Sequence, residues 1–446
     1  MNELPSINIK KRLTTFQIIA IGFLGVILLG AIILMLPFST SGNETPGFID
    51  ALFTATSAVC VTGLVVQDTG TYWSYFGQFI IITLIQIGGL GVITVAAAFT
   101  IISGRKISLM QRSTMQEAIA APKVGGIVRL TGFIIKTTFL IELLGAAVMA
   151  PVFVRDFGLK GIWMAVFHSI SAFCNAGFDL LGVREHFSSL TSYSADPVIN
   201  ITIMLLIIIG GIGFLTWDDI RTNGIKFHIY RMQSKVIFVT TAILILLPAL
   251  FFYFHDFTEL KGMERVLVSF FQSVTPRTAG YNTIDLGLIS EAGLFIMIVL
   301  MLIGGSPGST AGGMKTTTIA VLFANAAATF KRKENAHFFG RRIDDDVVKN
   351  AATILIMYIV LCLTGAFIIS VKEDLPILTC MYEAASAVGT VGLTLGITPT
   401  LSTLSKIVLI ILMFLGRVGG LTLIFAAMSG VSINVSRLPK EKITVG

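Results

Sequence analysis

Four short glycine-containing stretches carry the residues best suited to bind a cation in this 446-residue sequence. They recur about every 110 residues, and each has an aromatic residue ten positions before its glycine and an apolar or aromatic residue after it. The last three positions of each stretch contain no acid, so main-chain carbonyl oxygens would have to coordinate the cation. A ring of carbonyls replaces hydration water without a formal charge that would trap a monovalent ion. These positions are Val61, Thr62 and Gly63; Asn175, Ala176 and Gly177; Thr278, Ala279 and Gly280; and Thr390, Val391 and Gly392.

The composition places these stretches in a membrane protein. Mean hydropathy is +0.86 and only 13% of the residues are charged, which is typical of polytopic membrane proteins. Apolar segments of about 20 residues, long enough to span a bilayer, occur in pairs, with one glycine stretch between the members of each pair. The predicted pairs are 16–36 with 76–101, 137–154 with 198–217, 237–254 with 291–322, and 351–370 with 404–428.

The repetition predicts the fold class and the domain organisation. We expect an all-α polytopic membrane protein with four helix–pore-loop–helix repeats, and so eight transmembrane helices, around a pseudo-fourfold central pore. The alternative is four extracellular loops with ordinary helix-capping glycines. Four matched copies favour the pore, because non-helical backbone at membrane depth persists only where it is buried in protein or lines water. The predicted repeats are 1–110, 111–225, 226–335 and 336–446, the last with a cytoplasmic C-terminus.

The distribution of charge predicts the orientation in the membrane. The net charge is +7, but the basic residues gather in alternate loops and near both ends, in the segments 10–12 and 437–442. Under the positive-inside rule these loops and both termini are cytoplasmic, so we expect a multi-pass protein of the cell membrane, surrounded by lipid, with no nucleic-acid partner. The opposite loops are mainly acidic, and we include Glu383 among their acids. Three further acids follow their glycines closely, either as an outer vestibule or as solvated loop acids: Asp68, Asp179 and Asp285.

A second glycine-rich motif lies in the second apolar segment of each pair. In the first two pairs, at 87–91 and 209–213, the glycines favour close packing of continuous helices. The third copy differs, because its glycines and Pro307 disfavour a continuous helix, and its position at membrane depth predicts a flexible gate below the ring. The predicted gate consists of Gly304, Gly305, Ser306, Pro307, Gly308, Ser309, Thr310, Ala311, Gly312, Gly313 and Lys315, together with Arg417 of the fourth copy at 415–420.

Arg417 carries a charge within apolar sequence, which is costly unless it faces a cavity or a partner. Its depth argues against a side chain that reaches the membrane surface. A cation there would oppose the passage of other cations and could anchor the gate through hydrogen bonds to loop carbonyls. Glu142 also interrupts apolar sequence and is assigned no role. Arg277, close to the third glycine, must point away from the pathway or form a pair.

The sequence gives no sign of an enzyme. The five histidines show no metal-ligand spacing, and the four cysteines form neither a zinc motif nor a disulfide framework. The segment 308–315 approaches a phosphate-binding loop, but Met314 separates Gly313 from Lys315, where that loop requires adjacent glycine and lysine. We therefore expect no catalytic residues, no bound cofactor and no metal beyond the transported cation.

Together, the four stretch glycines, the segment 304–315 and Arg417 resemble the Trk/Ktr/HKT superfamily of potassium transporters, most closely the membrane subunit of bacterial Ktr systems. The resemblance covers essentially the whole chain. It implies that the four glycines line a potassium filter, that 304–315 is the intramembrane gate and that Arg417 closes the lower pore. Family members without the first glycine lean toward sodium, so Gly63 favours potassium.

The same resemblance implies partners and regulation. The chain would form a homodimer with one pore per subunit and sit on an octameric cytosolic ring of nucleotide-binding subunits that senses ATP and ADP, and sodium would stimulate uptake. The alternative is a proton- or sodium-coupled secondary cation symporter, which needs an ion-binding or titratable relay at the midplane, often with inverted repeats. The repeats here run in parallel, and Glu142 and Arg417 are the obvious candidates for such a relay.

Overall fold

The computed structural model describes residues 14–42, 45–103, 107–119, 121, 123, 125–419 and 441. The predictions that concern the two termini, with the basic segments 10–12 and 437–442, lie outside the described residues except for residue 441. So do the end of the predicted span 404–428 and Gly420 of the fourth glycine motif.

The described residues are almost entirely helical. Up to residue 223 the helices are α1 (Thr15–Leu34), α2 (Phe48–Cys60), α3 (Tyr75–Leu90), α4 (Val92–Ile102), α5 (Leu109–Ile119), α6 (Ile127–Phe157), α7 (Lys160–Phe173), α8 (Pro197–Gly211) and α9 (Phe214–Asn223). They are followed by α10 (Met232–Phe251), α11 (Gly262–Val274), α12 (Glu291–Leu302), α13 (Thr316–Phe330), the hairpin strands β1 (His337–Phe338) and β2 (Arg341–Arg342), α14 (Asp345–Glu373), α15 (Ile377–Gly389) and α16 (Thr403–Val418). The predicted all-α membrane fold is confirmed.

Four of these helices are long and apolar enough to cross a membrane alone: α1, α6, α14, and α10 with its π-helical continuation to Asp256. Each exposes large apolar side chains, such as Leu29, Leu143 and Leu363, as contact with lipid requires. Within the described chain, two further spans are bent pairs, α3 with α4 and α8 with α9. A loop interrupts α12 and α13, and the description of α16 ends at 419, so these segments do not reach spanning length.

Four short helices, α2, α7, α11 and α15, end three to six residues before the glycines of the four stretches. Each has 13 or 14 residues, which is about 20 Å of helix against a hydrocarbon core of about 30 Å. They can therefore enter a membrane but not cross it, which suits their position in the predicted pore loops. Their carboxyl ends bring the negative end of the helix dipole to the glycines.

Polar caps set the start of the helix that follows the loop in the first three units. The Ser74 hydroxyl accepts the Gly77 N–H at 3.2 Å, the Asp196 carboxylate accepts the Ile199 N–H at 3.0 Å, and the Ser290 hydroxyl accepts the Gly293 N–H at 3.0 Å. Such a cap stabilises a helix start by roughly 1 kcal/mol. The caps thus fix where the chain re-enters the bundle at α3, α8 and α12.

The helices close into a ring through one repeated contact. The helix after each glycine stretch packs against the short helix of the next unit: α3 on α7, α8 on α11, α12 on α15, and α16 on α2. The last contact joins the end of the described bundle to its beginning. The four short helices therefore surround one axis.

The bends in α3–α4 and α8–α9 contradict the predicted continuous spans 76–101 and 198–217. The chain turns by 94° and 95° at these breaks, where Gly91 and Gly213 have φ values of +87° and +95°. Glycine alone adopts such values readily, and they end a right-handed helix. Close packing was nevertheless predicted correctly for the preceding glycines, since a β-carbon on Gly88 or Gly210 would collide with a carbonyl oxygen of the adjacent short helix.

Candidate functional site

The four stretch glycines meet at the centre of the bundle, and we call them the ring glycines. A β-carbon on each of them would lie less than 3 Å from the carbonyl oxygen that precedes the ring glycine of the next unit. The pairs run in cyclic order: Gly63 with Ala176, Gly177 with Ala279, Gly280 with Val391, and Gly392 with Thr62. The sequence-predicted filter residues therefore form one closed ring, in which even a methyl group at a glycine would displace main-chain atoms.

The same backbone conformation recurs in the four stretches. The residue two positions before each ring glycine has a positive φ: Val61 +57°, Asn175 +60°, Thr278 +67° and Thr390 +51°. Each ring glycine also has a positive φ, between +67° and +95°. In the first, second and fourth units the left-handed residue lies at the end of the short helix, whereas α11 ends earlier, at Val274. The alternation of left-handed and ordinary residues turns successive carbonyls toward one side. The ring glycines supply the conformation that other residues adopt only with strain.

Hydroxyl groups behind the ring hold this conformation in place. The Ser57 and Ser386 hydroxyls accept the N–H groups of Gly63 and Gly392 at 3.1 and 3.0 Å. In the second unit the Ser171 hydroxyl instead donates to the Phe178 carbonyl at 2.8 Å. The third unit uses Thr275, one position later, which donates to the Tyr281 carbonyl. Serine hydroxyls in three quarters and the Thr275 hydroxyl in the third therefore tie the ring to the short helices.

Three threonine hydroxyls at the ring have no hydrogen-bond partner among the described residues, although they are buried. They belong to Thr62, Thr278 and Thr390. An unpaired buried hydroxyl costs about 1–3 kcal/mol, so these oxygens are suited to contacts with water or a cation in the ring. They lie in three of the four quarters of the ring.

Arg277 points away from the ring, as one of the two predicted options required. Its side chain is 5% exposed, and its Nη2 donates to the Thr241 hydroxyl on α10 at 3.2 Å. Its own carbonyl accepts from the Asn175 side-chain amide at 3.3 Å. The charge of the third quarter thus lies behind the short helix, while its main chain supports the second quarter.

The predicted gate residues form a loop against the ring. The β-carbon position of Gly312 meets the Thr390 side chain, and that of Gly313 lies 2.9 Å from the Gly389 carbonyl oxygen. Gly304 packs on Gly312 and Gly313 across the base of the loop. Glycines are required here because the two arms of the loop and the fourth short helix approach at main-chain distance.

The bend in the second unit holds the other side of this loop. The Gly211 and Gly210 carbonyls accept the N–H groups of Ser306 and Thr310 at 2.9 and 3.3 Å, and the Phe214 N–H donates to the Gly308 carbonyl at 2.7 Å. These contacts were not predictable from the sequence. They explain why the chain breaks at Gly213: its exposed main-chain groups pair with the loop.

Thr310 joins the loop to the second quarter of the ring. Its hydroxyl lies 3.1 Å from the Phe173 carbonyl oxygen and 3.1 Å from the Asn175 side-chain oxygen. Lys315 closes the loop from within, because its ammonium group donates to the Ala311 and Gly312 carbonyls at 2.8 and 3.1 Å. Its charge is therefore directed at loop carbonyls in the interior of the bundle.

Arg417 bridges three units of the bundle. From α16, its guanidinium donates to the Thr310 carbonyl of the loop and to the Gly88 carbonyl at the end of α3, with the Gly89 carbonyl 3.4 Å away. Arg417 thus donates to one loop carbonyl, as the sequence suggested, and its side chain lies in the interior instead of reaching the membrane surface. A cavity of about 280 Å³ is lined by the loop, Lys315, Arg417 and Glu117 of α5.

Glu142 lies in a buried polar cluster that the sequence did not reveal. One carboxylate oxygen accepts from the Gln86 side-chain amide of α3 at 3.0 Å, and the Cys174 sulfur lies 4.0 Å from the same oxygen. The Ser169 hydroxyl donates to the Glu142 carbonyl at 2.6 Å. Glu142 thus joins α6 to α3 and to the second short helix behind the ring.

The prediction that Glu383 is an acid of an external loop is wrong. Glu383 is a buried residue of α15. Its side chain is inaccessible to solvent, and one carboxylate oxygen accepts from the Thr398 hydroxyl, which also lies 3.0 Å from the Thr394 hydroxyl. The carboxyl group therefore connects the fourth short helix to the chain that leaves the ring. Only its position nine residues before Gly392 could have indicated this role.

The loss of stability on replacing Glu383 should depend on whether the new side chain can still accept the hydrogen bond of the Thr398 hydroxyl. Glu383→Ala removes the Thr398 contact and buried volume, so we expect a lower melting temperature, from a loss of about 1–3 kcal/mol. Glu383→Gln retains a carbonyl acceptor and should melt near the wild type. Thermal denaturation of the purified protein checks both variants, with the exposed Glu185→Ala as the control. Equal losses in the two variants would instead mean that the negative charge itself stabilises the ring.

Two of the three acids that follow the glycines are bound within the protein. Asp68 is 6% exposed, and its carboxylate accepts the Thr71 and Phe187 N–H groups, both at 3.0 Å. Asp179 accepts the Leu181 N–H at 2.9 Å. Asp285 caps a turn through the Gly287 N–H at 2.9 Å and is exposed. Asp68 joins the loops of the first two units and so differs from an ordinary solvated acid.

Comparison with known proteins places this arrangement in a family. The model of the TrkH family, described as a cation transport protein, matches residues 10–433. The potassium/sodium uptake protein NtpJ of Enterococcus hirae is 42% identical over 98% of both chains. The Ktr system potassium uptake protein B of Bacillus subtilis is 38% identical over 98% of this chain and 97% of its own.

A solved structure has the same fold. The potassium transporter TrkH from Vibrio parahaemolyticus superposes with a TM-score of 0.73 over 95% of this chain and 86% of its own, at 20% sequence identity. The resemblance drawn from the sequence is confirmed, as is the prediction that the protein is not an enzyme, since its relatives are transporters. With a family match along nearly its whole length, this membrane protein belongs to the TrkH family of cation transport proteins.

Proposed function

We propose that the protein takes up potassium across the cell membrane through the ring of main-chain carbonyls. The observation that carries the proposal is the closed cyclic contact of the four ring glycines with the carbonyls of their neighbours. Such a ring can replace the hydration shell of a monovalent cation. The names of relatives in Enterococcus hirae and Bacillus subtilis, a potassium/sodium and a potassium uptake protein, support potassium as the main cargo.

The loop 304–315 is the gate of this pathway in our proposal. It contacts the second and fourth quarters of the ring through Thr310 and Gly312, and Lys315 and Arg417 add two positive charges beside it. Positive charge on a cation pathway raises the electrostatic barrier to passage. Movement of the loop and Arg417 would lower that barrier and open the route to the ring.

The proposal extends to orientation and partners. The basic loops face the cytoplasm, with both termini on that side. The chain forms a homodimer with one pore per subunit and is regulated by an octameric cytosolic ring of nucleotide-binding subunits that senses ATP and ADP, with sodium as an activator. The similarity to a subunit of a Ktr system supports the regulatory partner.

Ion flux in liposomes that contain only this protein tests the transport proposal. A potassium gradient should set a membrane potential close to the Nernst value, without movement of protons, because a carbonyl ring has no titratable group. The relative from Enterococcus hirae makes sodium flux the second measurement. Obligatory proton or sodium stoichiometry would establish the alternative, a coupled cation symporter. Liposomes without protein serve as the control for leakage through the bilayer.

A further inference from the structure

A basic pocket at the start of α6 has no part in the ion pathway. It has a volume of about 280 Å³ and lies between the amino end of α6 and helix α9. Four cationic side chains and one carboxylate line it, together with an aromatic ring: Lys123, Arg129, Arg221, Arg231, Asp218 and Phe133. The surplus of positive charge marks it as a site for an anion.

The carboxylates near the pocket are already paired. Arg231 contacts Asp218 at 2.8 Å and Asp219 at 3.3 Å, and Asp219 also accepts from the Ser234 hydroxyl. Arg221 lies over the Phe133 ring, with its central carbon 4.6 Å from the ring centroid, which leaves its N–H groups in the pocket available. Among the described residues, Lys123, Arg129 and Arg221 have no carboxylate within 4.0 Å.

The backbone adds to this positive potential. Helix α6 begins after Gly126, which has φ +81° and provides no side-chain cap, and a β-carbon on Gly125 or Gly126 would meet no atom within 4 Å. The first N–H groups of a helix carry partial positive charge and bind phosphate readily. Here they coincide with three unpaired cationic side chains.

The location of the pocket identifies the source of the anion. The 31 residues of α6 extend about 46 Å, against a hydrocarbon core of about 30 Å, so its first turns lie at the depth of lipid headgroups. Leu130, Phe133 and Leu215 provide an apolar wall beside the cations. A headgroup with attached acyl chains uses both kinds of surface, whereas free phosphate uses only the cations.

We propose that this pocket binds the phosphate group of an anionic phospholipid, with Lys123, Arg129 and Arg221 as its ligands. Basic pockets between transmembrane helices are a known type of lipid headgroup site. The bound lipid would join the amino end of α6 to α9. Helix α9 directly follows the bend at Gly213, which contacts the loop 304–315. The bound lipid would therefore contact the helix next to this bend.

The test measures thermal stabilisation of the purified full-length protein in mixed micelles, titrated with phosphatidylglycerol or with phosphatidylcholine. Phosphatidylglycerol should raise the melting temperature of the wild type and phosphatidylcholine should not. The triple variant Lys123→Gln, Arg129→Gln and Arg221→Gln should require about a hundredfold more phosphatidylglycerol for half of the effect, and Arg129→Gln alone about fivefold more. The variant Lys331→Gln, Arg332→Gln and Lys333→Gln, which removes equal charge from another exposed basic segment, should titrate like the wild type.

Several results would overturn the proposal. If inorganic phosphate raises the melting temperature as much as phosphatidylglycerol does, the ligand is free phosphate and not a lipid. Equal titrations of the wild type and the triple variant would exclude the pocket, and equal weakening by the control variant would reduce the effect to general surface charge. If the triple variant melts below the wild type in phosphatidylcholine, the single Arg129→Gln variant decides, because its side chain is exposed in the first turn of α6.

Discussion

Replacing Gly63 with serine should lower the potassium-over-sodium permeability ratio by at least about tenfold, equivalent to about 1.4 kcal/mol between the two ions. Gly63 has φ +95°, a conformation that costs a side-chain-bearing residue about 1–2 kcal/mol. A β-carbon there would also lie within 3 Å of the Ala176 carbonyl oxygen. Because Gly63 of the first quarter packs against the Ala176 carbonyl of the second, the substitution displaces carbonyl oxygens of both quarters. Reversal potentials with potassium on one side of a bilayer and sodium on the other measure the ratio.

The matched control for this prediction is Gly25→Ser in α1. A β-carbon on Gly25 meets no atom within 4 Å, so the same chemical change should leave the permeability ratio unaltered. Gly63→Ala separates the steric effect from the hydroxyl, and we expect it to lose selectivity as well. An unchanged ratio in Gly63→Ser, with normal protein in the membrane, would show that the ring does not select the ion.

The repetition in the sequence predicted much of the site, because the ring glycines keep the same spacing from an aromatic residue in every unit. The left-handed residues two positions earlier were not predictable. No single side-chain type is common to Val61, Asn175, Thr278 and Thr390, so nothing at these positions indicates a left-handed conformation. Closure of the ring also depends on the contact of α16 with α2, which joins opposite ends of the sequence.

The bends and the buried acid show what a local pattern cannot resolve. A pair of glycines suits both a closely packed helix and a helix end, and the choice at Gly213 depends on the loop nearly a hundred residues later. Glu383 looks like a loop acid because the segment around it is only moderately apolar and too short to span a membrane. Its burial depends on Thr398, beyond the ring, which provides a hydrogen bond that water would otherwise provide.

Deleting part of the loop, residues 309–312, should raise potassium flux through the isolated protein. The deletion removes Thr310, the acceptor of the Arg417 guanidinium, and Gly312, which covers Thr390. Unchanged flux would mean that the loop is scaffolding for the ring. A deletion also shortens the connection between α12 and α13. A point substitution of Arg417, which donates to the Thr310 carbonyl of the loop, therefore provides the sharper test.

Arg417→Gln should raise potassium flux through the isolated protein in liposomes by at least about tenfold, to the limit set by the open pathway. Hydrogen bonds to a charged donor contribute about 1.5–3 kcal/mol each, and those to Thr310 and Gly88 both hold the closed arrangement. Glutamine also removes a positive charge from a cation pathway.

Arg417→Lys separates the two effects, because lysine keeps the charge but not the planar fork of donors. Flux in the lysine variant like that of glutamine would assign gating to the hydrogen bonds, and flux like that of the wild type would assign it to charge. Arg265→Gln is the control, since Arg265 also donates to a main-chain carbonyl, that of Tyr253 at 3.0 Å, away from the ring. If Arg417→Gln conducts no more than this control, the bridge between α16, the loop and α3 stabilises the fold without gating it.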